Sequence, residues 1–131
     1  MMSSALFYLV LTALLTTLIW LPGGIQLLLG QGMGKLFGNR DNISPLAPWA
    51  ERSKRAHGNA VENLAVFATL VLVAHVTGRV TEMVNTAAMV FFWMRVLHYF
   101  TYTFGIIYVR SAVWTVGWVC MLVIAWQLLG A

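Results

Sequence analysis

Four long apolar stretches divide the chain, over residues 5–29, 60–76, 84–108 and 112–129. Each approaches the roughly 20 residues that a membrane-spanning helix needs, so the pattern predicts four transmembrane helices, which with their flanks cover about 5–29, 48–77, 82–107 and 109–129. Polarity concentrates in one place. The stretch from Trp49 to Asn63 carries both Glu51 and Glu62 together with Arg52, Lys54 and Arg55, and then runs straight into the second apolar segment. Arg52, Arg55, Asn59, Glu62 and Val66 recur at steps of three and four, so on a helix they form one stripe. Glu62 falls where an ionisable group is costly, and such groups face a partner, a cavity or a ligand.

The third apolar segment repeats the device in weaker form, because Arg95, His98 and Tyr102 also recur at helical spacing. An arginine midway along a spanning helix points to the bundle interior. Glu62 on the preceding helix is its expected counter-ion, and a close Glu62–Arg95 pair is predicted. In the first segment Pro22-Gly23-Gly24 is expected to kink the helix or end its regular part, leaving Gln26 as the one polar side chain of any reach beyond it. Residues 30–48 are rich in Gly, Asn, Asp and Pro without apolar periodicity and read as a loop. Pro48 suits the first turn of the next helix.

Composition sharpens this to a membrane protein. Of 131 residues, 60% are hydrophobic and only 9% charged, outside the range of soluble globular domains. The length suits one domain over 1–131. The first segment lacks a basic flank and is too long for a signal core, so it is expected to stay as structure. The net charge of +4 does not imply nucleic-acid binding, since the basic residues are not clustered with exposed aromatics. Five of them, Lys35, Arg40, Arg52, Lys54 and Arg55, lie between the first two apolar segments. By the positive-inside rule the loop at 30–48 and the turn near 108–110 are cytoplasmic, and both termini lie outside an inner or plasma membrane. Cys120, the single cysteine, reads as a small buried hydrophobe with no disulfide partner in its own chain. His57, His75 and His98 cannot be argued onto one site, so no metal or haem centre is expected.

Taken together, Glu51-Arg52, Arg55-Ala56-His57, Asn59 and Glu62, then Arg95, His98 and Tyr102, then Arg110-Ser111 resemble the family of membrane-associated proteins in eicosanoid and glutathione metabolism (MAPEG), notably its microsomal prostaglandin E synthase branch. The resemblance spans helices two to four in order, and its specific part is the arginine, asparagine and glutamate spacing on helix two. It implies an all-α transmembrane four-helix bundle that assembles as a homotrimer, with glutathione as co-substrate held near the cytoplasmic side between subunits. By resemblance, Arg55 and Asn59 hold the carboxylates and amides of the peptide, Glu62 its amine or a supporting arginine, and Arg95, His98 and Tyr102 complete the cavity. Arg110 and Ser111 match the positions implicated in activating the thiol. Three differences stand out: Gln26 where helix one would supply an arginine, Gly58 where the prostaglandin synthase branch has another, and Trp114 in place of a tyrosine.

The chemistry is compatible with that ligand. Two carboxylates, an ammonium group and a thiol call for guanidinium forks, an acceptor and something that favours thiolate. A nearby guanidinium and a donated hydroxyl hydrogen bond lower a thiol pKa from about 8.5 towards neutrality. The expected activity is transfer of glutathione to a lipophilic electrophile, or its use to reduce a lipid peroxide. Structural readings stand beside the functional ones. Arg52, Lys54 and Arg55 also suit anchors on anionic headgroups, Glu62 and Arg95 a register-fixing pair, His98 and Tyr102 packed interior groups, and His57 a surface contact. The competing class is a non-catalytic membrane protein that binds a lipid or a partner. A small proton-coupled exporter would need an acidic residue in the first helix, which has none.

Overall fold

The computed structural model describes residues 1–130 and consists of six helices in chain order: α1 (Ser4–Leu18), α2 (Leu21–Gln31), α3 (Met33–Phe37), α4 (Pro48–Val76), α5 (Glu82–Thr103) and α6 (Ile107–Leu129). The chain forms an all-α bundle in which α1 with α2, then α4, α5 and α6 alternate in direction. Helix α5 is the hub, packing on α1, α4 and α6.

The first apolar segment breaks at Ile19 and Trp20, so its regular part ends one turn before Pro22, in line with the expectation for Pro22-Gly23-Gly24. Pro22 itself lies in the first turn of α2, where its missing N–H costs nothing and its fixed φ suits a helix start. The loop expected over residues 30–48 contains a short helix, α3, entered through Gly32 at φ 89°, a left-handed backbone that glycine adopts without steric penalty.

Three segments are long and apolar enough to cross a membrane: Ser4–Gln31, Pro48–Val76 and Ile107–Leu129. Helix α5 has 22 residues, also enough to span, but Asn85, Arg95 and His98 dilute its apolar character. It keeps those groups inward while Trp93, Leu97 and Phe100 are exposed. Long rows of exposed Val, Leu, Phe and Trp cover the outside of the bundle, far more than a water-soluble monomer presents. This is the surface of an integral membrane protein in contact with lipid.

Because lipid tails are as apolar as leucine, close packing holds such helices together, and small residues permit it. Ala74, Ala87 and Ala88 are buried around the stacked Phe67 and Phe91, whose ring centroids lie 4.1 Å apart. Gly117 of α6 faces Phe91, which a Cβ there would meet at 3.7 Å. A second buried cluster, Ile19, Ala56, Ala60 and Tyr99, closes the bundle at the end where α4 begins. There the Ser53 and Tyr99 hydroxyls share a 2.6 Å hydrogen bond. Thr81 caps α5 at Val84 N–H. At the same end Arg79 donates to the carbonyls of Leu128 and Gly130, closing α6 with a cation where its dipole is negative.

Candidate functional site

The alternating helices bring the first half of α4, the second half of α5 and the first turns of α6 to one end of the bundle. A cleft of about 260 Å³ opens there, lined by Asn59, His98, Tyr102, Arg110, Ser111, Trp114 and Thr115. Five of these are residues singled out by sequence. Behind them Arg95 is 5% exposed, which makes it part of the support of the cleft rather than its lining.

Arg95 organises the site. Its Nη2 donates to Asn59 Oδ1 at 2.9 Å and lies 3.3 Å from His98 Nδ1. A guanidinium only donates, so the shared proton belongs to Arg95 and His98 Nδ1 accepts. That contact leaves the other ring nitrogen, Nε2, for the cleft. Asn59 Oδ1 also accepts from Asn63 Nδ2 at 3.2 Å, so what Asn59 has left to offer is its amide NH2. Arg95 Nε is buried without a protein partner, an unmet donor behind the lining of the cleft.

The chain of contacts continues to α6. His98 and Tyr102 meet edge to face at 5.6 Å, and the Arg110 guanidinium lies over the Tyr102 ring at 4.5 Å, a cation–π contact that fixes the plane of the fork. Among the described residues Arg110 makes no side-chain hydrogen bond, so its donors remain for a ligand. Ser111 Oγ donates to the Ile107 carbonyl at 3.2 Å, and Thr115 Oγ1 to the Ser111 carbonyl at 2.8 Å. Among the described residues no carboxylate lines the cleft, so with Arg110 at its edge and Arg95 behind it the field there favours an anion.

Glu62 does not pair with Arg95. It is exposed on the flank of α4, and Asn59, one turn earlier, takes the arginine instead. The physical reason is helix rotation: a turn of α4 that buries Ala56, Ala60 and Phe67 points Asn59 at α5 and swings Glu62 and Arg55 outward. Arg55 is also exposed and lies outside the cleft. Arg52 turns the other way, donating from Nε to the Thr103 carbonyl at 2.9 Å and so capping α5. Gln26 reaches no part of the cleft, and its Oε1 is buried without a partner. Gly58 is exposed, with open space where a side chain would stand.

Thr115 lines the cleft without having been singled out by sequence, and Trp114, marked there as a departure from the family's tyrosine, lines it too. Thr115 lies one helical turn beyond Ser111, so the i, i+4 rule was the available signal. Trp114 stacks on Trp118 with ring planes 9° apart, giving the cleft an apolar wall.

Comparison with curated proteins and with solved structures returns no match. The profile of the MAPEG family matches residues 4–130, which takes in all six helices. Some members of that family are glutathione-dependent transferases. By that match over nearly its whole length, the chain belongs to the MAPEG family.

Proposed function

We propose that this protein is a glutathione-dependent transferase or peroxidase that acts on a lipophilic electrophile or lipid peroxide delivered from the membrane. One observation carries the reading: the Arg110 guanidinium stands over Tyr102 with its donors unspent, at the rim of a cleft without carboxylates.

The residues fit the ligand. Arg110, Asn59 through its amide NH2 and His98 through Nε2–H are donors in the cleft for carboxylate, peptide carbonyl and thiolate. When bound, glutathione supplies a sulfur nucleophile that bonds to an electrophilic carbon as that carbon's leaving group departs, or to a peroxide oxygen as the O–O bond breaks and the alcohol leaves, a second glutathione then closing the disulfide with loss of water. Arg110 holds that sulfur as thiolate by charge. Ser111 supports it once its hydroxyl leaves the Ile107 carbonyl, a local turn of one χ1 angle. Trp114 and its stacked neighbour Trp118 form the apolar side on which a lipophilic partner is received.

A cleft of about 260 Å³ lies just below the roughly 300–1,000 Å³ of ordinary ligand pockets, and Arg55 and Glu62 sit outside it on the same stripe. Helix α4, with 29 residues, is about 43 Å long, against a hydrocarbon core of about 30 Å. Measured back from Val76, Glu62 falls about two turns inside that core. A charged face at that depth needs covering. A second copy seated on the Arg55 and Glu62 face would cover it and enlarge the cleft, which supports a homotrimer with the ligand between subunits, Glu62 taking the ammonium group and Arg55 a carboxylate. The loop between α2 and α4 would then be cytoplasmic, with both termini outside.

A second reading, a non-catalytic lipid- or partner-binding protein, draws on Ser111, whose hydroxyl is already tied to Ile107. Turnover separates the two. Purified protein with glutathione and a lipophilic electrophile or a fatty-acid hydroperoxide should show conjugation or peroxide loss that Arg110→Ala abolishes. Glutathione binding without turnover would leave the binding protein.

A further inference from the structure

A second cavity, of about 320 Å³, lies between α2, the α3–α4 loop and the opening turns of α4, and shares no lining residue with the Asn59–Arg110 cleft. Its charged lining is Arg40, Lys54 and Glu51, and its apolar lining includes Trp20, Leu27 and Ile43. His57 completes the polar side. One oxygen of Glu51, Oε1, accepts from Leu46 N–H at 3.2 Å, and the carboxylate keeps its charge. The lining therefore carries two cations, Arg40 and Lys54, against one carboxylate, beside an apolar floor.

The loop that roofs this cavity is fastened by side chains. Gln31 bonds Ser44 in both directions, at 2.8 Å to its carbonyl and 2.9 Å from its N–H, and Lys35 Nζ donates to the Asn42 carbonyl at 2.7 Å. Arg40 is held at φ 63°, the one non-glycine residue with positive φ among those described, and its Nε donates to the Leu36 carbonyl. A non-glycine residue in that region costs on the order of 1 kcal/mol. The fastenings therefore keep a strained residue in place in the lining of the cavity.

The cavity sits at the end of the membrane helices, where headgroups meet protein, and basic pockets beside spanning helices suit phosphate headgroups. Its volume is within the range of ligand pockets. We infer that the Arg40–Lys54 cavity binds the phosphate headgroup of an anionic membrane phospholipid, with Trp20, Leu27 and Ile43 taking the glycerol and first acyl carbons.

The test titrates purified full-length protein in neutral detergent with short-chain phosphatidylglycerol, with phosphatidylcholine of the same chain length and with inorganic phosphate, following the thermal unfolding midpoint. A saturable rise with phosphatidylglycerol alone is expected. Arg40→Gly removes the guanidinium while easing the backbone, so its midpoint without lipid should stay at or above wild type. Combined with Lys54→Gln it should weaken phosphatidylglycerol binding about tenfold or more, the worth of one charge-assisted hydrogen bond. Lys54→Gln alone, on an exposed helical position, should weaken it measurably. Equal response to phosphatidylcholine, saturation by inorganic phosphate at the same concentration, or unchanged affinity in either variant would overturn the assignment.

Discussion

Arg95 on α5 is held by Asn59 on α4, through a 2.9 Å bond from Nη2 to Oδ1, in the place where Glu62 was the expected partner. A neutral acceptor leaves the guanidinium charge uncompensated beside the cleft, which suits a site that receives an anion. Glu62 is left free to serve a ligand or a neighbouring subunit.

Stability should report this partnership. Asn59→Ala removes the acceptor and leaves a mostly buried guanidinium short of a bond, so unfolding in mixed micelles should show a loss of about 1.5–3 kcal/mol. Glu62→Gln should leave the unfolding curve of the detergent-purified protein unchanged while weakening glutathione binding. A large stability loss in Glu62→Gln would restore the ion pair that the structure lacks.

The buried hydroxyl pair at the other side of α4 gives a second test. Tyr99→Phe or Ser53→Ala leaves one hydroxyl without its partner at 2.6 Å, and each should cost about 1–3 kcal/mol. The double substitution should cost much less than the sum, because neither polar group is then stranded. Additive losses in the unfolding cycle would show that the two hydroxyls do not share a bond.

What the sequence made legible was order and spacing. Alternating helices place Asn59, His98, Tyr102, Arg110 and Ser111 at one end whatever their rotation, and the three-and-four spacing kept each helix's polar groups on one face. Rotation about the helix axis was not legible, because α4 beyond Leu64 is apolar nearly all round and lipid discriminates weakly among such faces. That is why Glu62 was expected where Asn59 stands. The Ser53–Tyr99 bond and the Arg52 cap on Thr103 escaped for a related reason: Tyr99 is off the polar stripe, and a basic residue near a membrane surface reads first as an anchor. Pro22-Gly23-Gly24 was expected to kink the first helix or end its regular part, and the regular part does end at Leu18, the residue whose carbonyl the missing Pro22 N–H would have served, with Pro22 in the first turn of the helix that follows.

Helix packing at Gly117 is also testable. A Cβ there would meet Phe91 and Met94 at 3.7–3.8 Å, ordinary contact, so Gly117→Ala should be tolerated and can stabilise by about 0.5–1 kcal/mol through helix propensity. Gly117→Leu needs room that Phe91 does not give and should lower the midpoint of unfolding or yield of folded protein. Equal behaviour of the two variants would mean that α5 and α6 are not closely packed there.

Arg110 and Ser111 should separate in kinetics. Arg110 has unspent donors, whereas the Ser111 hydroxyl is tied to Ile107 before ligand arrives. Rates of glutathione conjugation should therefore fall about a hundredfold or more in Arg110→Ala, in line with the loss of one preorganised charge-stabilising donor, and by clearly less in Ser111→Ala. Arg110→Lys should recover only part of the rate, because an ammonium lacks the fork that stacks on Tyr102. The reverse order would make the serine the principal activator.

The most direct measurement is the ultraviolet difference absorbance of glutathione thiolate on the purified protein near neutral pH. The Arg110 cleft predicts a thiolate signal that saturates with glutathione in the wild type, is displaced by a sulfur-free glutathione analogue, and is absent in Arg110→Ala. No thiolate signal from the wild-type protein at several millimolar glutathione, or an undiminished signal in Arg110→Ala, would contradict it.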